Sequence, residues 1–129
     1  MAAVEVLYAS DLRNVPPHDI LTEQELGDAY AEHLVSGVFA RKTEIDRTIG
    51  SHSRGWTTER MSPVDRNVLR VGVLELMEGE VPPAVAIDEA VDIAKHFSGE
   101  EAGRFVNGVL EAVRQSLGRG DDGASGSDA

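Results

Sequence analysis

Apolar residues recur along the chain at intervals of three and four, the spacing of one helix face. No stretch alternates with the period of two that a half-buried strand requires. The pattern predicts a first helix from Met1 to about Leu12, with Val4, Leu7 and Tyr8 on a shared face, broken over Asn14 to Pro17. A short helix follows from Ile20 to Leu26. One longer helix is predicted from Asp28 to Ile49, with Leu34, Val38, Ile45 and Ile49 inward, and the polar stretch Gly50 to Gly55 reads as a loop. Ser62-Pro63-Val64-Asp65 is the clearest start signal. Ser62 can cap a free backbone N–H, and Pro63 fits the first helical position because its missing donor costs nothing there. Asp65 resembles the acidic member of a capping box and complements the helix dipole. The helix that follows carries Val64, Val68 and Val71, with Leu69, Val73 and Leu76 on an adjoining stripe, so neighbours should touch it on several sides. Gly79 to Pro83 ends it. Ile87, Ala90, Val91 and Ala94 mark the buried face of the next helix, which closes at Phe97 before Ser98-Gly99. Val106, Val109, Leu110, Val113 and Leu117 line the last one. From Gly118 onward the chain is mostly Gly, Ser, Asp and Ala, too little apolar surface to offset ordering entropy. The expectation is a helical domain over residues 1–117 and a disordered acidic tail over 118–129.

Charge changes the picture. A chain of 129 residues suits one domain with a single core, and 12 Lys+Arg against 23 Asp+Glu give it a net charge of -11. Nucleic-acid binding draws much of its free energy from clustered Lys and Arg, so this balance opposes indiscriminate binding. Screening beyond about 8 Å at physiological salt still leaves room for a small local site. The chain has no cysteine, which excludes disulfides, thiolate catalysis and most structural zinc arrangements. His18, His33, His52 and His96 lack metal-ligand spacing. The pairs Asp28/Glu32 and Glu100/Glu101 have no His, phosphate loop or nucleophile beside them. There is no apolar run of membrane-spanning length and no signal segment. These features predict a non-catalytic, cofactor-free cytoplasmic protein.

Three ordered segments carry a resemblance: Val64-Asp65-Arg66-Asn67-Val68-Leu69-Arg70, then Val81-Pro82-Pro83 running through Ala86-Ile87-Asp88-Glu89-Ala90-Val91 to Lys95, then Phe105-Val106-Asn107-Gly108-Val109-Leu110. In this order they resemble the NusB family of bacterial transcription antitermination factors, from Met1 to about Leu117. Leu34 to Val38 with Ile45-Asp46 match the family's third helix, and Trp56 to Arg60 the short segment before its central helix. The resemblance implies an all-α fold of about seven helices in two packed three-helix groups. It also implies binding of boxA, a short sequence in the leader RNA of ribosomal operons, jointly with NusE, a small-subunit ribosomal protein. The pair acts on the elongating RNA polymerase complex. Family members carry an Arg-rich stretch just before the residues matching Ala2 to Tyr8. Its absence here reads either as a start codon assigned downstream of the true one, which an uncapped helix start favours, or as weakened RNA affinity.

The resemblance nominates Tyr8, Lys95, Phe97, Glu101, Arg104 and Phe105 as RNA contacts. Phe97 and Phe105 flank the loop between the last two helices, Glu101 lies in it, and Lys95, His96 and Arg104 are the nearest cations. Single-stranded RNA is read by splaying bases onto such rings. The three aromatic residues suit core positions as well, and Glu101 suits a solvated helix start. Asp65, Arg66 and Glu75 are expected on a polar surface of the central helix, where the family docks NusE, although capping alone accounts for Asp65. Asn107 and Gly108 read as structural, the glycine permitting close helix approach. Two alternatives stand beside this reading. One is an acidic module that docks NusE but has lost RNA binding. The other is the NusB-like domain of rRNA cytosine methyltransferases, which would need catalytic cysteines absent from this sequence. Pairing into a homodimer is left open.

Overall fold

The start signal at Ser62 is realised atom by atom. The Ser62 hydroxyl accepts from the Asp65 backbone N–H at 3.1 Å, Pro63 occupies the first turn, and Gly79 closes the helix in the left-handed conformation (φ 72°). Our computed structural model describes residues 2–23 and 29–118. The described helices are α1 (Ala2–Arg13), α2 (Pro17–Glu23), α3 (Ala29–Ala40), α4 (Lys42–Ser51), α5 (Pro63–Glu78), α6 (Pro83–Ser98) and α7 (Glu100–Leu117), with a 3-10 turn at Thr58–Arg60. The fold is all-α. Helices α1, α2 and α3 pack on one another, as do α5, α6 and α7, and α4 touches both groups.

The centre is α5, whose residues from Asn67 to Leu76 are all buried. A helix covered on every side must lie close to its neighbours. A Cβ at Gly72 would stand 2.8 Å from Leu110 Cδ1 of α7, so a bare backbone is needed there.

Polar groups inside this contact are fully engaged. Arg70 of α5 donates through Nε and Nη2 to Asp46 of α4 at 2.8 and 2.9 Å, and through Nη1 to Asp11 of α1 at 3.2 Å and to Asn67 at 3.0 Å. Asp11 also accepts from Arg66 Nε at 2.8 Å and from Asn67 Nδ2 at 2.7 Å. Burial pushes the Asp11 carboxyl up, but the bonds from Arg66 and Asn67 and the Arg70 charge outweigh it, so its pKa lies below the ordinary value. The clamp ties α1 and α4 to α5.

Four expectations are corrected. The single helix predicted from Asp28 to Ile49 is two, because Arg41 (φ -113°, ψ 22°) breaks helical geometry between α3 and α4. The kink preserves the apolar period, so Val38 and Ile45 are both buried and the pattern carries no trace of it. The expected loop from Gly50 begins two residues later, since α4 continues through Ser51. Leu117 is exposed together with residues 115, 116 and 118, so the last turn of α7 leaves the core. Gly108 faces open space and brings no helix close; Gly72 does that instead. The expectations for residues 24–28 and 119–129 lie outside the described residues.

Asp11→Ala should cost about 3 kcal/mol, the low end for removing one partner of a buried ion pair, because Asp46 still holds Arg70. Stability from a depressed carboxylate is present above its unfolded pKa and is lost as pH falls through its folded one. The gap between wild type and variant, measured by urea denaturation, should therefore close in acid; a gap independent of pH would count against the clamp.

Candidate nucleic-acid interface

Only Gly99 separates α6 from α7. Its φ of 98° and ψ of 179° fall in a region essentially restricted to glycine. The loop expected to carry Glu101 is thus a single residue, because one glycine suffices to reverse the chain. Glu101, Arg104 and Phe105 lie on the first turns of α7, and Phe97 on the last turn of α6. Phe97 is 55% exposed and meets the His96 ring edge-on at 4.8 Å between centroids, which removes the core alternative for it. Phe105 is half-buried against the core, so one face of the ring is structural. Lys95 is engaged locally: its ammonium lies 3.8 Å from the Glu100 carboxylate, and its stem crosses Gly103. Arg104 and Glu101 are exposed.

A further side chain joins this surface that the sequence reading did not nominate. Trp56, the chain's single tryptophan, is 48% exposed. It stands at the end of a tight turn in which the Trp56 N–H donates to the Ser53 carbonyl at 3.1 Å and the Ser53 hydroxyl donates to the Trp56 carbonyl. The Arg60 guanidinium carbon sits 5.1 Å from the centre of its ring, within cation–π range. Trp56 and Phe105 together line two clefts. One, of about 540 Å³, also holds Arg60, Asp65, Glu101 and Ala102. The other, of about 410 Å³, holds His52, Arg54, Arg104 and Gly108. The available signal was a lone tryptophan flanked by Arg54 and Arg60 in a chain with 5% aromatics.

The remaining nominated residues are placed apart or inward. Tyr8 is exposed on α1, which packs against α2, α3 and α5 rather than on the α6–α7 face. Asp65 is half-buried and does not complete a reciprocal capping box; its Oδ1 is buried without a hydrogen-bond partner among the described residues. Arg66 is drawn inward by Asp11. Glu75, expected on a polar surface, is only 3% exposed, because this part of α5 has no solvent face. It accepts from the Tyr30 hydroxyl of α3 at 2.7 Å. Burial, aided by Glu89 and Glu78, pushes its carboxyl above the ordinary value, against the pull of the Tyr30 bond. Tyr30 is itself raised, by burial and then by its bond to Glu75. The face expected to dock a protein partner is therefore confined to Asp65 and the edge of Arg66. Among the described residues, no group of three or more His, Asp and Glu side chains converges to hold a metal ion, and no helix is long and apolar enough to cross a membrane.

The family model described as the NusB family matches residues 1–115. The chain belongs to the NusB family. Curated NusB relatives named transcription antitermination protein include one from Sorangium cellulosum, 51% identical over 96 residues that cover 74% of this chain and 69% of that protein. Another, from Acidothermus cellulolyticus, is 46% identical over 118 residues, covering 87% and 81%. Among solved structures, T. maritima NusB superposes with a TM-score of 0.79 at 33% identity, covering 88% of this chain and 86% of that one. A complex of the antitermination factors NusB and NusE with double-stranded RNA gives 0.77 at 34% identity, covering 88% and 91%.

Because the Glu75 pKa is raised, the stability of its protonated form is present below the unfolded pKa and is lost as pH rises through the folded one. Glu75→Gln keeps an acceptor for Tyr30 without the buried charge. The melting-temperature difference, variant minus wild type, should be largest near about pH 7 and shrink toward about pH 4; a constant difference would show that no buried charge is at stake.

Proposed function

We propose that this chain is a non-catalytic cytoplasmic antitermination factor that binds boxA RNA together with NusE and acts on the elongating RNA polymerase complex. Family membership over nearly the whole folded part supports the reading, as does likeness to a NusB–NusE–RNA complex. The observation that carries it on this molecule is the surface around α6 and α7, where Phe97 is exposed at the end of α6 and Arg104 lines one cleft with the half-buried Phe105. An aromatic ring open on one side beside an arginine offers single-stranded bases a stacking surface and their phosphates a charge. The edge of Arg66 remains our candidate for the NusE contact, while Asp65, the other residue expected there, lines the cleft beside Trp56.

The net charge of -11 favours a second reading, a module that docks NusE without binding RNA. Fluorescence anisotropy of labelled boxA RNA separates the two, run with and without NusE, against a scrambled RNA, at several salt concentrations. Selective binding strengthened by NusE is expected. Few cations stand on this surface, so the salt dependence should be shallow, log affinity falling against log salt by about 0.7 for each phosphate that an arginine neutralises. NusE binding with no preference for boxA would leave only the docking module.

A further inference from the structure

Neither core packing nor the family segments quoted above explain why Trp56 is half exposed. Its backbone is fixed rather than loose: Arg54 and Gly55, the two central residues of the Ser53–Trp56 turn, both have positive φ (55° and 87°). For Arg54 that conformation is costly, and the turn presents the arginine and the tryptophan side by side.

Many of the cations away from the ring are already held. Arg66 and Arg70 are inside the clamp, Arg41 pairs with Glu44, Arg114 with Glu111 and Lys95 with Glu100. Arg54, Arg60 and Arg104 make no ion pair among the described residues, and all three line the clefts that share Trp56 and Phe105. On a strongly acidic chain, three unpaired arginines about one exposed ring are complementary to a polyanion with flat faces; Lys42 and Arg47, also without an ion pair among the described residues, line neither cleft. The two clefts are also unlike each other. The His52, Arg54 and Arg104 cleft has no acidic lining residue, and Gly108 leaves its floor bare. The other cleft carries Asp65, whose unpartnered Oδ1 can only accept, and Glu101.

We propose that Trp56 and Phe105 form a ridge that seats one nucleotide of single-stranded RNA, its phosphate in the cleft of Arg54 and Arg104 and its base against Trp56 toward Asp65. The proposal rests on the RNA-binding reading above and extends the site beyond the α6–α7 face. A duplex would keep its bases stacked internally and leave the ring unused, so the occupant is an unpaired nucleotide. Arg60 over the ring is held by an exposed cation–π contact, weaker than the stacking of a base, so it gives way. An amino group on the base edge then supplies the partner that Asp65 lacks.

The single tryptophan makes the test direct. Unlabelled boxA RNA is titrated into the NusE-bound protein while tryptophan emission is followed, with Trp56→Phe as the blank for any signal from NusE. Saturable quenching is expected over the concentration range in which anisotropy reports binding. Trp56→Phe, which keeps a stacking face, should bind within about 3-fold of wild type, whereas Trp56→Ala should bind roughly 5- to 150-fold more weakly. Circular dichroism checks that each variant folds; should Trp56→Ala not fold, the quenching of wild type decides. Selective binding by wild type with unchanged tryptophan emission, or with a fully active Trp56→Ala, would overturn the ridge and leave the RNA-binding reading intact. Absence of boxA-selective binding by wild type would remove both.

Discussion

A guanidinium in a protein interior is unfavourable unless its donors all find acceptors, and much of this fold is arranged to meet that condition for Arg70. Its fork is planar, so the carboxylates that satisfy it can approach from few directions. Asp46 takes the Nε/Nη2 side in a bidentate pair, while Asp11 and the Asn67 amide oxygen take Nη1. Because those carboxylates belong to α4 and α1, the requirement of one side chain sets the position of two helices against α5. The consequence reaches the candidate interface. The Ser53–Trp56 turn leaves the end of α4, and Asp65 and Arg66 begin α5, so the clamp fixes both walls near which Trp56 stands.

What could be read from the sequence was mostly local. Ser62, Pro63 and Gly79 announce their helix ends because capping is decided within a few residues. The inward faces of α6 and α7 follow from a period that packing does not alter. Glu75 was misplaced because its polarity argues for the surface, while its partner Tyr30 lies 45 residues away on a different helix. The kink at Arg41 was invisible because the apolar residues on either side of it keep their spacing. At the candidate interface, Phe105 was legible through a family segment and Phe97 through its place beside the junction of the last two helices. Their different exposures were not, since the angle at which α7 leaves Gly99 decides them. Trp56 was legible only as a ring between arginines; its clefts exist because α7 brings Phe105 beside it.

Net charge proved a poor guide to surface chemistry for a structural reason. Cations and anions are not distributed alike over the molecule. Arg66, Arg70 and Lys95 serve packing or local pairing and contribute little outward field, whereas much of the acidic excess is exposed on α6 and α7. A surface of this kind repels polyanions over much of its area. On the proposed RNA-binding reading, such background repulsion favours selectivity more than strength.

The one-residue junction at Gly99 has an evolutionary side. With one residue to reverse the chain, and that residue in a backbone geometry that side chains other than glycine's rarely adopt, a substitution at position 99 has to change the path of the junction. That path sets how α7 leaves α6, and with it both the core positions Val106, Val109 and Leu110 and the surface positions Arg104 and Phe105. A change of one residue there is felt in the core and at the candidate interface in the same stroke, whereas an ordinary surface turn can drift in sequence without disturbing either.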